Sequence, residues 1–205
     1  KYYRVNVNGT KNLLKMCGQF NCNKFIYSST AAIYSENSKP PFNEDSKVVT
    51  KSPYSKTKFQ SEKEIINYSE KNLNFKYVIL RYFNPVGAHK SGLITEKPKM
   101  KFGNLMPEIC RAASSKKILK VFGNKYNTVD GTCIRDFIHI DDLVSGHIES
   151  LNYLSKKTQN SIINLGTGKP TTVLEIIKTF EKVNKVNIKY KIHPPRLGDA
   201  ESSYA

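Results

Sequence analysis

The sequence predicts an α/β fold: a parallel sheet whose strands are joined by crossover helices. Three observations lead there. Short apolar runs, Phe25-Ile26-Tyr27 and Tyr77-Val78-Ile79-Leu80-Arg81-Tyr82-Phe83, end in polar residues. Segments of helical periodicity separate them. A strand, a helix and a second strand in that order require a crossover, which leaves the strands parallel. Ligands bind such sheets at the polar strand ends, so those ends are where function is sought.

Each element follows in turn. Residues 6–19 read as a helix with Leu13, Leu14 and Cys17 on one face. Phe25-Ile26-Tyr27 is a buried strand ending in Ser28-Ser29-Thr30, and a loop rich in Pro, Asn and Ser fills 35–52. Ser52-Pro53 opens a second helix, serine as N-cap and proline in the first turn, running to about Lys71 with Phe59, Ile65 and Ile66 inward. The strand at 77–83 stops at Asn84-Pro85-Val86-Gly87. A helix near 104–114, a strand at 118–122 and a turn-rich stretch to Thr132 come next. Residues 137–140 read as a strand, and Asp141-Asp142 suit the start of a helix to about Leu154. A last strand, 162–165, closes on Gly166-Thr167-Gly168, and Thr172 caps a helix through Val183. The tail carries Arg196 and Asp199.

Composition excludes several classes. The 205 residues, 39% of them apolar, can build a core, and no apolar run reaches the ~18 residues of a membrane span. No membrane partner is expected. The formal charge of +16 invites a nucleic-acid hypothesis. The excess is mostly scattered lysine beside abundant asparagine, which a coding bias explains and an anionic small molecule would also exploit. No nucleic-acid partner is expected. Cys17, Cys22, Cys110 and Cys133 form no CxxC pair and no zinc spacing. They read as free thiols of a reducing compartment, so a cytoplasmic location and no metal are expected.

The first chemical hypothesis is Tyr54 with Lys58, one helical turn apart and on one face. An ammonium beside a phenol favours the phenolate and lowers its pKa, which makes tyrosine a usable general base. Thr30, at the preceding strand end, can hydrogen-bond the same reacting oxygen. Base, cationic helper and hydroxyl together suit hydride removal from a carbinol carbon. In a lysine-rich chain such a pair also arises by chance, and Tyr153 with Lys157 is a second one. That second pair follows no polar strand end and reads as a solvated helix turn. The context of Tyr54 sets it apart.

These segments, taken in order, resemble the extended short-chain dehydrogenase/reductase family. Residues 5–14 (VNVNGTKNLL) look like its Asn-containing helix, 25–30 (FIYSST) like its active-site strand, and Tyr54-Ser55-Lys56-Thr57-Lys58 like its Tyr-x-x-x-Lys pair. Residues 135–142 (RDFIHIDD) and 164–168 (NLGTG) are similar to two later signatures. Within the family, 81–89 (RYFNPVGAH), 104–107 (NLMP), 121–124 (VFGN) and 130–136 (DGTCIRD) are similar to the UDP-hexose 4-epimerases. The resemblance implies a Rossmann-like doubly wound sheet, incomplete for want of its N-terminal part, with a smaller α/β substrate-binding domain. It assigns 1–84 and 137–168 to the NAD-binding domain, and 85–136 and 169–205 to the UDP-sugar-binding domain. The Gly-rich turn that receives a pyrophosphate is expected before Lys1, and the family's C-terminal end is expected beyond Ala205. The 205 residues alone are therefore expected to be inactive.

The resemblance also implies roles. Thr30, Tyr54 and Lys58 would be catalytic and would meet NAD, beside Asn6, Tyr82 and Phe83. Asn84 and Asn104 would bond the pyrophosphate or sugar, and Leu105, Val121 and Phe122 would frame the uracil. Arg135 and Arg196 would neutralise the diphosphate, as guanidinium forks suit phosphate oxygens. Asp199 would accept from ribose hydroxyls. Ser203 stands where some epimerases carry a bulky tyrosine, and so would leave room for an N-acetyl group. The implied reaction is epimerisation at C4 of a UDP-hexose through a 4-keto sugar, in a homodimer. Family dehydratases carry an Asp-Glu pair after the active-site hydroxyl; here the stretch is Ala31-Ala32-Ile33-Tyr34. That weighs against elimination. A UDP-pentose 4-epimerase, a decarboxylase or 4,6-dehydratase of the same fold, and a non-catalytic nucleotide-sugar module remain alternatives.

Overall fold

The computed structural model describes residues 1–35, 38–94, 104–156, 159–196 and 198–205. The chain opens with a π-helical turn, Arg4–Asn8, that runs into α1, Gly9–Gln19. Strand β1, Lys24–Thr30, leads through a 3-10 turn, Ala31–Ile33, to α2, Pro53–Lys71, and β2, Lys76–Tyr82. Then come β3, Asn84–Val86; α3, Leu105–Ser115; β4, Leu119–Phe122; β5, Ile134–His139; and α4, Ile140–Lys156. The chain continues with β6, Ser161–Leu165; β7, Pro170–Thr172; α5, Val173–Asn184; β8, Tyr190–His193; and β9, Ser202–Ser203.

The expected parallel sheet is present, in the order β1-β2-β6. Strand alternation sorts its residues between two layers. Phe25, Tyr27, Tyr77, Ile79 and Ile162 pack with Leu14 and Ile65 of α1 and α2. Ile26, Val78, Leu80, Ile163 and Leu165 pack with Leu154 of α4 on the other face. Helices on both faces make this a doubly wound, Rossmann-like sheet. A second assembly lies beyond it: β5 pairs with β3, β7 and β9, and β4 pairs with β8. Ile109 and Ala112 of α3 and Ile177 of α5 form a core with Leu119, Val121 and Ile188.

Local chemistry sets the helix starts. Ser52 Oγ accepts from Ser55 N at 3.0 Å, with Pro53 in the first turn. Thr172 and Glu175 make a reciprocal capping box.

The structure departs from the sequence reading in several places. The first helix begins with the π-helical turn at Arg4, ahead of Asn6. Asn84-Pro85-Val86, expected as a stop, forms β3, because its three residues pair with Phe137, Ile138 and His139. The strand expected at 137–140 begins at Ile134, and β7, β8 and β9 were not foreseen. These are short strands held by their pairing partners rather than by an apolar pattern of their own. Lys157, of the second Tyr/Lys pair, lies outside the described residues.

Candidate active site

The C-terminal ends of β1 and β2 lie side by side, Thr30 opposite Tyr82. Above them opens a cavity of about 860 Å³. Thr30, Tyr54, Tyr82, Phe83, Asn84, Asn104, Arg135, Asp199 and Ser203 are among the residues that line it. Asn84, Asn104, Arg135 and Asp199 are shared with an adjoining cleft of about 180 Å³ walled by Leu105, Val121, Phe122 and Arg196. The two spaces form one trough from the Tyr54 hydroxyl to the Phe122 ring. Thirteen of the fifteen residues singled out by sequence therefore meet at this trough.

Asn6 and Lys58 line neither space. Asn6 Nδ2 donates to Thr57 Oγ1 at 2.9 Å, and its carbonyl accepts from Ser61 Oγ at 3.0 Å. It ties the first helix to α2. Lys58 Nζ donates to the Ser28 carbonyl at 2.7 Å and sits 4.9 Å from the Tyr27 ring centroid.

The electrostatic expectation for Tyr54 is corrected. Burial pushes its phenol above the ordinary tyrosine value, and the Thr30 hydroxyl pulls it part of the way back. The lowering partner is thus Thr30, not Lys58, whose ammonium is occupied at Ser28. Burial also holds Lys58 below its usual value, against an upward pull from the Glu62 carboxylate.

Behind the strand ends lies a buried network that the sequence reading missed. Glu62 is fully buried, and Arg81 grips it through Nη2 at 2.8 Å and Nε at 3.3 Å. Ser29 Oγ donates to the same carboxylate. Arg81 Nη1 reaches Tyr34 Oη at 3.1 Å, and Tyr34 donates to Asn164 Oδ1 at 2.6 Å. The spacing of Tyr54, Lys58 and Glu62, four apart on one helix face, was the one sequence signal; the rest depends on register, since Ser29, Arg81 and Asn164 are partners across three strands.

At the far end, the Arg135 guanidinium pairs with Asp199 at 2.7 Å, and Arg196 lies over the Phe122 ring at 4.2 Å from its centroid. Buried Asp136, next to Arg135, accepts from Thr167 N at 2.8 Å and Gly168 N at 2.9 Å. A Cβ on Gly166 would meet its carboxylate at 2.5 Å, so glycine is required for the turn to wrap this group. Among the described residues, no three or more His, Cys, Asp or Glu side chains gather as a metal site. No described helix is long and apolar enough to cross a membrane.

The UDP-glucose 4-epimerase of Dictyostelium discoideum is 42% identical over the whole chain, which spans 60% of that relative's length. A crystal structure of UDP-glucose-4-epimerase from Stenotrophomonas maltophila, with bound NAD and formylated UDP-arabinopyranose, superposes with a TM-score of 0.96. It is 35% identical over 99% of this chain and 61% of its own. The structure of the UDP-Glc/GlcNAc 4-epimerase from Campylobacter jejuni gives a TM-score of 0.80 at 39% identity, over all of this chain and 63% of its own. The model of the NAD dependent epimerase/dehydratase family matches residues 1–166, and the chain belongs to that family.

Proposed function

We propose that the chain is the catalytic and sugar-nucleotide-binding part of an NAD-dependent UDP-hexose 4-epimerase. The observation that carries this reading is the continuous trough, with Tyr54 and Thr30 at one end and Phe122 with Arg196 at the other. Residues 1–84 and 137–168 would serve the cofactor, and 85–136 with 169–205 the nucleotide sugar.

The residues fit the reactive half of NAD. Thr30, Tyr54, Tyr82 and Phe83 all line the cavity, hydroxyls beside an apolar ring, which suits a flat, polar-edged ring next to a sugar. The 205 residues contain no G-x-G-x-x-G turn, so they supply the part that faces the reacting end rather than the pyrophosphate cradle. NAD, when bound, supplies a reversible two-electron acceptor. Tyr54 takes the proton of the C4 hydroxyl as that carbon is oxidised, and Thr30 holds the same oxygen. Lys58 braces the strand end through Ser28 and adds positive charge nearby. The 4-keto sugar turns within the trough while its UDP end stays held, so remote binding energy serves the chemistry. As C4 is reduced again on its opposite face, Tyr54 returns the proton to the C4 oxygen.

Arg135 and Arg196 would meet the diphosphate, Asp199 the ribose, and Leu105, Val121 and Phe122 the base. The short side chain of Ser203 on the cavity wall favours acceptance of UDP-N-acetylhexosamines too, as the name of the C. jejuni relative describes. The pentose ligand of the S. maltophila structure supports UDP-pentose as a second substrate class for the same residues. Free cysteines throughout support a cytoplasmic location. Exposed Leu13, Met16 and Phe20 along and just after α1 support self-association as a homodimer. The test is turnover: the polypeptide at its full encoded length, given NAD and UDP-galactose, is expected to form UDP-glucose. No conversion, with both ligands shown to bind, would overturn the reading.

A further inference from the structure

A second set of hydroxyls meets a histidine on the α4 side of the same strand end. Tyr82 Oη and Ser28 Oγ are bonded at 2.7 Å. Both lie beside His147 Nε2, with Tyr82 Oη at 2.5 Å and Ser28 Oγ at 3.4 Å. The other ring nitrogen, His147 Nδ1, faces the Leu143 carbonyl at 2.8 Å. The Tyr82 and His147 rings meet edge-on at 5.5 Å between centroids.

Donor accounting decides what this cluster can do. A backbone carbonyl only accepts, so Nδ1 must carry the ring hydrogen, and in the neutral imidazole Nε2 is then a bare acceptor. A tyrosine hydroxyl has one hydrogen to give. The bond to Nε2 uses it, and Ser28 can then only donate to the Tyr82 oxygen. Burial pushes the Tyr82 phenol above its ordinary value, so the hydrogen is present at neutral pH. What Tyr82 offers the cavity is a lone pair and no hydrogen.

We propose that His147 is a positioning residue that fixes the Tyr82 hydroxyl as a hydrogen-bond acceptor toward the cofactor side of the cavity. The ligand group there must be an N–H or O–H donor, such as an amide NH₂. The role rests on the reading of this cavity as an NAD site. It is distinct from the Tyr54 chemistry, since His147 touches no reacting atom and acts through Tyr82.

Two measurements on the polypeptide at its full encoded length test it. Nitrogen NMR of His147 in the cofactor-free wild type is expected to show the neutral Nδ1–H tautomer. An Nε2–H or doubly protonated ring overturns the proposal whatever the enzyme does. The second compares His147→Asn, whose amide can still serve Leu143 but leaves nothing at Nε2, with His147→Gln, whose carbonyl reaches that place. His147→Asn is expected to lose roughly three- to tenfold in NAD affinity with UDP affinity unchanged, and His147→Gln to stay within about twofold of wild type. Wild-type affinity in His147→Asn, or equal losses in both variants, would overturn the positioning role. A wild type that shows the expected tautomer but binds no NAD refutes the functional reading and the positioning role with it, and the cofactor-free spectrum separates that outcome from the others.

Discussion

Lys58 Nζ is bonded to the backbone carbonyl of Ser28 at 2.7 Å, two residues before the Thr30 hydroxyl that modulates Tyr54. The lysine thus braces the strand end, and the threonine tunes the base. In the proposed reaction, Tyr54 would be the proton acceptor and Thr30 the holder of the sugar oxygen.

Tyr54→Phe removes the proton acceptor and keeps the ring. Turnover is expected to fall by about 10²–10⁴-fold, the range of general acid–base catalysis. UDP affinity, which the proposed function places at the Phe122 end, is expected to stay within about twofold. Steady-state kinetics beside calorimetry of UDP binding checks both. Unchanged turnover would remove Tyr54 from the mechanism.

Thr30 predicts a pH effect with a definite sign. Tyr54 accepts a proton only as phenolate, so the rate rises with pH toward its pKa. The Thr30 hydroxyl lowers that pKa against burial. Thr30→Ala therefore moves the rising limb to higher pH and costs roughly 100-fold at neutral pH. Thr30→Ser is expected to leave the limb in place. A limb that stays put in Thr30→Ala contradicts the assignment.

The Glu62–Arg81 pair is almost wholly buried, with side-chain exposures of 1% and 4%. Removing one partner strands the other charge. Arg81→Met is expected to cost about 3–5 kcal/mol in urea denaturation, and the double change Glu62→Met with Arg81→Met to recover much of it. A single-variant loss below about 1 kcal/mol would mean the pair is solvated, against the geometry.

Alkaline pH should weaken the fold. Burial raises the pKa of Tyr34, Tyr54, Tyr77 and Tyr82. A raised folded value means the native state holds its proton more tightly. The stability this gives is complete below the unfolded tyrosine value of about 10 and is lost as pH rises through the folded values. Lys58, held below its ordinary value by burial, works in the opposite sense as a single group against these tyrosines and the likewise raised Tyr27 and Tyr126. Tyr77→Phe is expected to lose less Tm than wild type between about pH 9 and 11. Parallel curves would refute the contribution of Tyr77.

Ser203 predicts substrate range. Ser203→Tyr fills the cavity wall and is expected to abolish UDP-GalNAc turnover while UDP-galactose turnover falls less than about tenfold. Equal losses on both substrates would show that residue 203 does not govern the N-acetyl pocket.

Much of this site could be read before the fold was known. Strand ends such as Ser28-Ser29-Thr30 are legible because an apolar run stops in hydroxyls, and Tyr54 because a capped helix start follows. Leu105, Phe122, Arg135 and Arg196 were reached only through family resemblance, since nothing local distinguishes a base-framing leucine from a core one. The Glu62–Arg81–Tyr34–Asn164 network and the Tyr82–His147 pair stayed hidden for a physical reason. Their partners are brought together by sheet register and by which layer each side chain faces, as with Asn164 and Tyr34, 130 residues apart. Short strands such as β7 and β9 stayed hidden too, because pairing rather than pattern defines them.

The central claim is that the C4 hydrogen leaves and returns within one site whose base is Tyr54. The direct test gives the polypeptide, at its full encoded length, UDP-galactose carrying deuterium at C4 of the sugar, in ordinary water with NAD. UDP-glucose that keeps its deuterium at C4, with no net build-up of reduced cofactor, is the predicted result. Deuterium lost to solvent or moved to another carbon, or a keto-sugar released as the main product, would contradict the account.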